Sequence, residues 1–152
     1  MPRSYNQTTC PVARSLDLLG DRWTLLIIRD LFRGRHRFAD LQASLSGVPS
    51  NVLSDRLKLL EAEGIVERRF YSQHPPRAEY YLTRKGADLR DVLRALVQWG
   101  SAYLMEGGPE LVHRPCGHAV SLRWTCPECG DTNGGRDVVL REQRAAVGAT
   151  PV

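Results

Sequence analysis

Three of the chain's four cysteines fall between positions 116 and 129, where one short pattern occurs twice. It reads His113-Arg114-Pro115-Cys116-Gly117, followed by His118, and then Cys126-Pro127-Glu128-Cys129-Gly130 before Asp131. Each copy is a ligand-type side chain, two spacers, a cysteine and a glycine. Two such pairs on successive tight turns can supply the four N and S donors of tetrahedral Zn2+, and a glycine beside each thiolate relieves the backbone. The expected metal ligands are His113, Cys116, Cys126 and Cys129, with His118 an alternative to His113 because it also flanks Cys116. Such an ion would be structural, since four protein ligands leave no position for water or substrate. Two other readings stay open. A Cys-x-x-Cys pair can do thiol redox chemistry, but a useful one opens a helix, and Cys129-Gly130-Asp131 gives no sign of helix onset. A ribbon without metal could instead pack through Trp124.

A second set of residues suits a polyanion. Ser50, Asn51 and Ser54 sit off a stripe of Leu53, Leu57 and Leu60 at i, i+4 and i+7, so on a helix these short polar side chains are free to approach base edges. Asn51 is the first candidate base reader, because an amide can contact adenine through two hydrogen bonds; its alternative role is a second helix N-cap. Arg56 and Lys58 could neutralise phosphates, or pair with Asp55, Glu61 or Glu63. Arg33, Arg35, His36 and Arg37 crowd the junction of two expected helices, Arg37 being the first choice for a phosphate contact. Gln73, His74 and Arg77 surround Pro75-Pro76 at an expected hairpin tip, where His74 and Arg77 could follow a groove. Arg68 and Arg69 alternate on a strand, so at most one of them can face a duplex. Cys10, at the mouth of the first expected helix with Arg14 one turn on, is a candidate oxidant sensor or else a packing residue.

The elements that must position these groups follow from apolar spacing and punctuation. Cys10-Pro11 opens a helix that Gly20 closes, Arg22 to Phe32 forms a denser one ending before Gly34, and Phe38, Leu41 and Leu45 mark a shorter third. Ser46-Gly47-Val48-Pro49 is a turn, with Ser50 the expected N-cap of the fourth helix, which stops at Glu63-Gly64. Ile65 to Tyr71 and Glu79 to Leu82 are strand-like and flank a polar tip, Ser72 to Arg77. From Thr83 one long amphipathic helix is expected through Leu89, Val92 or Leu93, Leu96, Trp99 or Gly100 and Tyr103, a face that one small domain would struggle to cover. Gly107-Gly108-Pro109 is a linker to the cysteine-rich segment, and the tail from Arg141 lacks apolar periodicity.

Composition agrees. The chain has 152 residues, 42% of them hydrophobic and 25% charged, enough for one domain with a small appendage. Residues 1–105 carry 16 Lys and Arg against 11 Asp and Glu, whereas residues 106–152 carry 5 against 6, so the basic excess belongs to the first part. No apolar run approaches a membrane span or a signal-peptide core, and a cytoplasmic protein is expected. Walker, G-x-G-x-x-G, H-E-x-x-H and G-x-S-x-G motifs are all missing, which argues against an enzyme.

Taken together, Cys10-Pro11-Val12, Leu19-Gly20-Asp21-Arg22-Trp23-Thr24-Leu25, Gly34 with Arg37-Phe38-Ala39-Asp40-Leu41, Leu53-Ser54-Asp55-Arg56-Leu57 and Tyr80-Tyr81-Leu82-Thr83 resemble the HxlR family of bacterial transcriptional regulators over about residues 10 to 105. The resemblance implies a homodimeric winged helix-turn-helix that places one recognition helix per subunit in the major groove of double-stranded DNA. The wings reach the flanking groove or backbone, and the subunits pair through the first and last helices. Some members respond to redox or electrophile signals through a cysteine near the position of Cys10; a small-molecule effector is the other expected input. The expected fold is thus α+β and mostly helical. A winged helix-turn-helix with a long dimerisation helix fills residues 1–106, a zinc-ribbon-like module follows over 107–140, and a disordered tail over 141–152. The expected function is a repressor binding a pseudo-palindromic operator. The alternative is a winged-helix and zinc-ribbon adaptor that binds protein without specific DNA recognition.

Overall fold

The computed structural model describes residues 5–133 and 135–141, so the expected tail, apart from Arg141, lies outside the described residues. Four helices come first: α1 (Pro11–Leu19), α2 (Thr24–Phe32), α3 (Phe38–Ser44) and α4 (Ser50–Ala62). A hairpin of β1 (Val66–Gln73) and β2 (Pro76–Leu82) follows, then α5 (Arg84–Ala87), α6 (Arg90–Tyr103), β3 (Trp124–Thr125) and β4 (Thr132–Asn133). The chain divides into two compact units, Met1–Leu96 and Val97–Val152, and the division falls inside α6. No helix among the described residues is long and apolar enough to cross a membrane.

The first unit is built on the leucine stripe of α4. Leu53, Leu57 and Leu60 are fully buried against Ile27, Ile28 and Leu31 of α2, Leu41 of α3, Leu45, Val48, Ile65 and Val66. At about 1.5–3 kcal/mol per buried aliphatic side chain, this cluster supplies the gain that orders the helices. The turn between α3 and α4 is set by Gly47, whose φ of +87° places it where a Cβ is strained. Pro49, not Ser50, caps α4 and offers no side-chain bond; Ser50 is already its first helical residue. At the start of α2, Asp21 Oδ1 accepts from Trp23 N at 3.1 Å, which holds Arg22 and Trp23 in a turn and delays the helix to Thr24.

Two further expectations are corrected. The hairpin is longer than its sequence suggests, pairing Val66 with Leu82 at the base and Gln73 with Pro76 at the end, with Tyr71 bulged, so the tip is only His74 and Pro75. The long helix expected from Thr83 is broken into α5 and α6 around Asp88 and Leu89. Thr83 caps α5 by accepting from Gly86 N, and its hydroxyl donates to Gly64 O at 2.6 Å, anchoring the turn to the end of α4. Gly86 lies against the carbonyl of Ile65, where a Cβ would overlap backbone oxygen. Gly86→Ala is therefore expected to lower unfolding free energy by about 1–3 kcal/mol in urea denaturation, as overpacking against backbone does.

The described residues of the second unit form no core. Gly86 is the last buried residue, and every residue after it whose burial is described is exposed or intermediate. What holds this unit is polar and local: Ser101 Oγ donates to Pro109 O at 2.8 Å, and Leu122 N donates to Gln98 Oε1 at 3.0 Å. One isolated bridge pairs Val112 with Ala119, and β3 pairs with β4 over two residues.

Candidate nucleic-acid interface

The start of α4 carries the least committed polar side chains of the helix-turn-helix. Asn51 is exposed, and its side chain makes no hydrogen bond to any described residue; Ser54 is half-buried and equally free. Ser50 is exposed but accepts from Gln42 Nε2, a bond that ties α4 to α3. Lys58 is exposed and only loosely paired with Asp55, at 3.9 Å. Arg56 is placed differently. Its Nη2 lies 3.1 Å from Asp21 Oδ2, with both side chains mostly covered, so this guanidinium is committed to joining α4 to the turn before α2. The partner is none of the nearby carboxylates Asp55, Glu61 and Glu63. Asp21 thus shapes a turn with one oxygen and fastens α4 with the other.

Between α2 and α3 the basic cluster is organised by a residue that spacing did not single out. Asp30, on the last turn of α2, has no solvent exposure, and its Oδ1 takes Arg29 Nε at 2.9 Å and faces Arg33 and Arg35 at 3.8 Å each. Its backbone carbonyl also accepts from the N–H groups of Arg33 and Arg35. Burial alone would push the Asp30 carboxyl up, but the hydrogen bond from Arg29 and the fields of Arg29 and Arg35 outweigh it and hold the group below the ordinary carboxylate value. A carboxylate inside the apolar run Leu25 to Phe32, followed by three arginines within five residues, was the available sequence signal.

Arg37 joins this loop to the wing. Its Nε donates to Glu79 Oε1 at 3.0 Å, and its guanidinium lies 5.0 Å from the Tyr71 ring centre. Tyr81 also donates its hydroxyl to Glu79, at 2.7 Å, and this bond, followed by that from Arg37, keeps the Glu79 carboxyl below its usual range. Alongside, His36 Nδ1 donates to Tyr80 O at 2.9 Å, its carbonyl accepts from Tyr80 N at 2.8 Å, and its ring stacks 4.3 Å from Tyr81. Beyond this base the hairpin is lined by cations. Arg68 pairs with Glu61 of α4 and Arg69 with Glu67, whereas His74 at the tip and Arg77, second residue of β2, are exposed and have no side-chain partner among the described residues.

In the second unit the cysteine pairs form two similar turns. Gly117 N donates to His113 O at 2.7 Å and Gly130 N to Cys126 O at 2.9 Å, and both glycines have φ of +72°. His113 Nδ1 is 3.1 Å from Cys116 Sγ. Backbone N–H groups of Cys129 and Glu128 face the Cys126 sulfur and lower its thiol below the ordinary value. Among the described residues, no three His, Cys, Asp or Glu side chains converge as a metal cluster.

A helix-turn-helix with a free polar start to its second helix, an adjoining cationic wing and an arginine loop defines a winged helix-turn-helix transcriptional regulator, not an enzyme. The comparisons give the family: residues 18–107 match the HxlR-like helix-turn-helix model, and the chain belongs to that family. It is 44% identical over 130 residues to the HTH-type transcriptional regulator Rv3095 of Mycobacterium tuberculosis, covering 84% of this chain and 82% of that one. The crystal structure of PA1607, a candidate transcription factor, superimposes with a TM-score of 0.77 at 36% identity, covering 93% of this chain and all of that one. The redox regulator HypR in its reduced form gives a TM-score of 0.58 at 32% identity, over 61% of this chain and 92% of that one.

Proposed function

We propose that the chain is a sequence-specific repressor that binds a pseudo-palindromic operator as a homodimer, one α4 entering the major groove from each subunit. The free amide of Asn51 at the exposed start of α4 carries this reading: it is the group best able to read a base, with Ser54 beside it and Ser50 steadied by Gln42. Lys58, His74 at the tip of the hairpin and Arg77 at the start of β2 serve phosphates or the flanking groove. Arg37, whose Nε is bound to Glu79, has its remaining guanidinium N–H groups for phosphate; Arg56 acts by fixing the pose of α4.

The second subunit is supported by α6. It has no buried residue, and Val92, Leu96, Trp99 and Tyr103, at i, i+4, i+7 and i+11, all expose their apolar side chains. Val12 and Leu16 of α1 are exposed as well. In this reading the signal enters through Cys10, a half-buried free thiol at the N-cap of α1, where oxidation would disturb a helix of the dimer face.

Fluorescence anisotropy of the purified protein with DNA from upstream of its own coding sequence and with a scrambled duplex tests the proposal. Preference for the upstream DNA by about a hundredfold or more, weakening steeply with salt, is expected. Arg77→Ala should shallow the log K against log salt slope by about 1, while Asn51→Ala should relax base preference more than it lowers nonspecific affinity. Wild-type behaviour in both variants would overturn the docking.

A further inference from the structure

We propose that His113, Cys116, Cys126 and Cys129 bind one structural Zn2+, and that this ion substitutes for a hydrophobic core, since none of the second unit's described residues is buried. With no buried residue described beyond Gly86, the described residues after α6 are held by short-range polar links: turn hydrogen bonds, a one-residue bridge, a two-residue ladder and two side-chain hydrogen bonds to α6. Segments this small ordinarily need a metal or a disulfide to fold, because they cannot bury enough apolar surface. All four cysteines of the chain are free.

The donor turns are preformed. In each, the carbonyl of the first ligand accepts from the glycine four residues on, and each glycine adopts φ of +72°, which turns the chain around the intervening pair of spacers. In the first turn His113 Nδ1 and Cys116 Sγ are 3.1 Å apart. Zn–N bonds of about 2.0–2.1 Å and Zn–S bonds of about 2.3 Å set tetrahedral N···S edges near 3.5 Å, so this pair is close to ligating separation. His113 is therefore assigned over His118, whose carbonyl instead accepts the His113 N–H at 2.9 Å. The four donors are described as two separate pairs, and the ion's contribution is to draw those pairs together. Three thiolates and one imidazole form a soft set that favours tetrahedral Zn2+ over Mg2+ or Ca2+. Binding would release the thiol protons, leaving a site of net charge −1 with no open coordination position.

The test uses the full chain purified under reducing conditions without added chelator. One zinc per chain by mass spectrometry is expected, falling to background in Cys126→Ser and Cys129→Ser and unchanged in Cys10→Ser. Exchange with Co2+ should give the intense visible bands of a tetrahedral thiolate site. Chelation should make residues 107–141 sensitive to trypsin while the first unit keeps its thermal transition. A chain that carries no zinc and takes up none, or thiol counting that finds Cys126 and Cys129 joined as a disulfide, would overturn the proposal. His113→Ala should lose the tetrahedral spectrum and His118→Ala should keep it; the reverse would overturn the ligand set. None of these readouts depends on operator binding.

Discussion

Leu96→Glu, or Trp99→Glu, is expected to convert the proposed homodimer to a monomer by sedimentation and to weaken operator binding by about a hundredfold or more. The affinity follows from geometry: two tethered reading helices rebind intramolecularly, and linking two sites raises avidity by about 10²–10⁴ over either alone. Neither side chain is buried, with Leu96 47% and Trp99 55% exposed, so a charge at either position costs the isolated subunit little. Placed opposite its own copy in an apolar contact, the same carboxylate must be desolvated without a partner. Far-UV circular dichroism should stay unchanged while sedimentation reports the smaller species. A variant that remains dimeric with wild-type affinity would remove α6 from the interface.

Asp30→Asn has the largest expected effect on folding, about 2–3 kcal/mol. A wholly buried ion pair broken on one side loses about 3–5 kcal/mol. Here the three arginines are one-third to three-fifths exposed, so they can return to water, and the loss approaches that of charge-assisted hydrogen bonds. The melting temperature should fall by about 5–10 °C. The acid limb supplies an independent check. A carboxyl held below its unfolded value contributes stability that is complete above the unfolded pKa, near 3.9, and disappears as pH falls through the lower folded value. Wild type should therefore lose stability below about pH 4 more steeply than Asp30→Asn, and parallel limbs would show that the carboxylate is not held in this way.

Most of the first unit was legible in sequence because its signals are local. The Leu53, Leu57 and Leu60 stripe set the face of α4, and Gly47 marked the turn before it, so α1 to α4 fall within a residue or two of their expected spans. The break between α5 and α6 was not legible, since apolar periodicity continues across Asp88 and Leu89 and the bend answers to the contact of Gly86 with the Ile65 carbonyl, 21 residues away in sequence. Pro76 looked like a turn residue, yet proline is acceptable as the first residue of a strand, and β2 begins there. Among site residues, Asn51 and His74 stand exposed at the places their spacing gave, and Arg77 is exposed but lies in β2 instead of the tip. Arg56 and Arg37 do not stand free, because a sequence shows charges without showing which distant carboxylate each will meet, Asp21 for one and Glu79 for the other.

The base of the wing is fastened to the α2–α3 junction on two sides, by Arg37 and Tyr81 on Glu79 and by the paired His36 and Tyr80 bonds. A hairpin rooted in this way does not swing independently of the helices beside it. Mismatch between protein and duplex must then be absorbed by the duplex, whose bending energy depends on its own sequence. Operators with easily kinked pyrimidine–purine steps at positions no side chain touches would bind tighter than stiff A-tract versions carrying the same contacted bases.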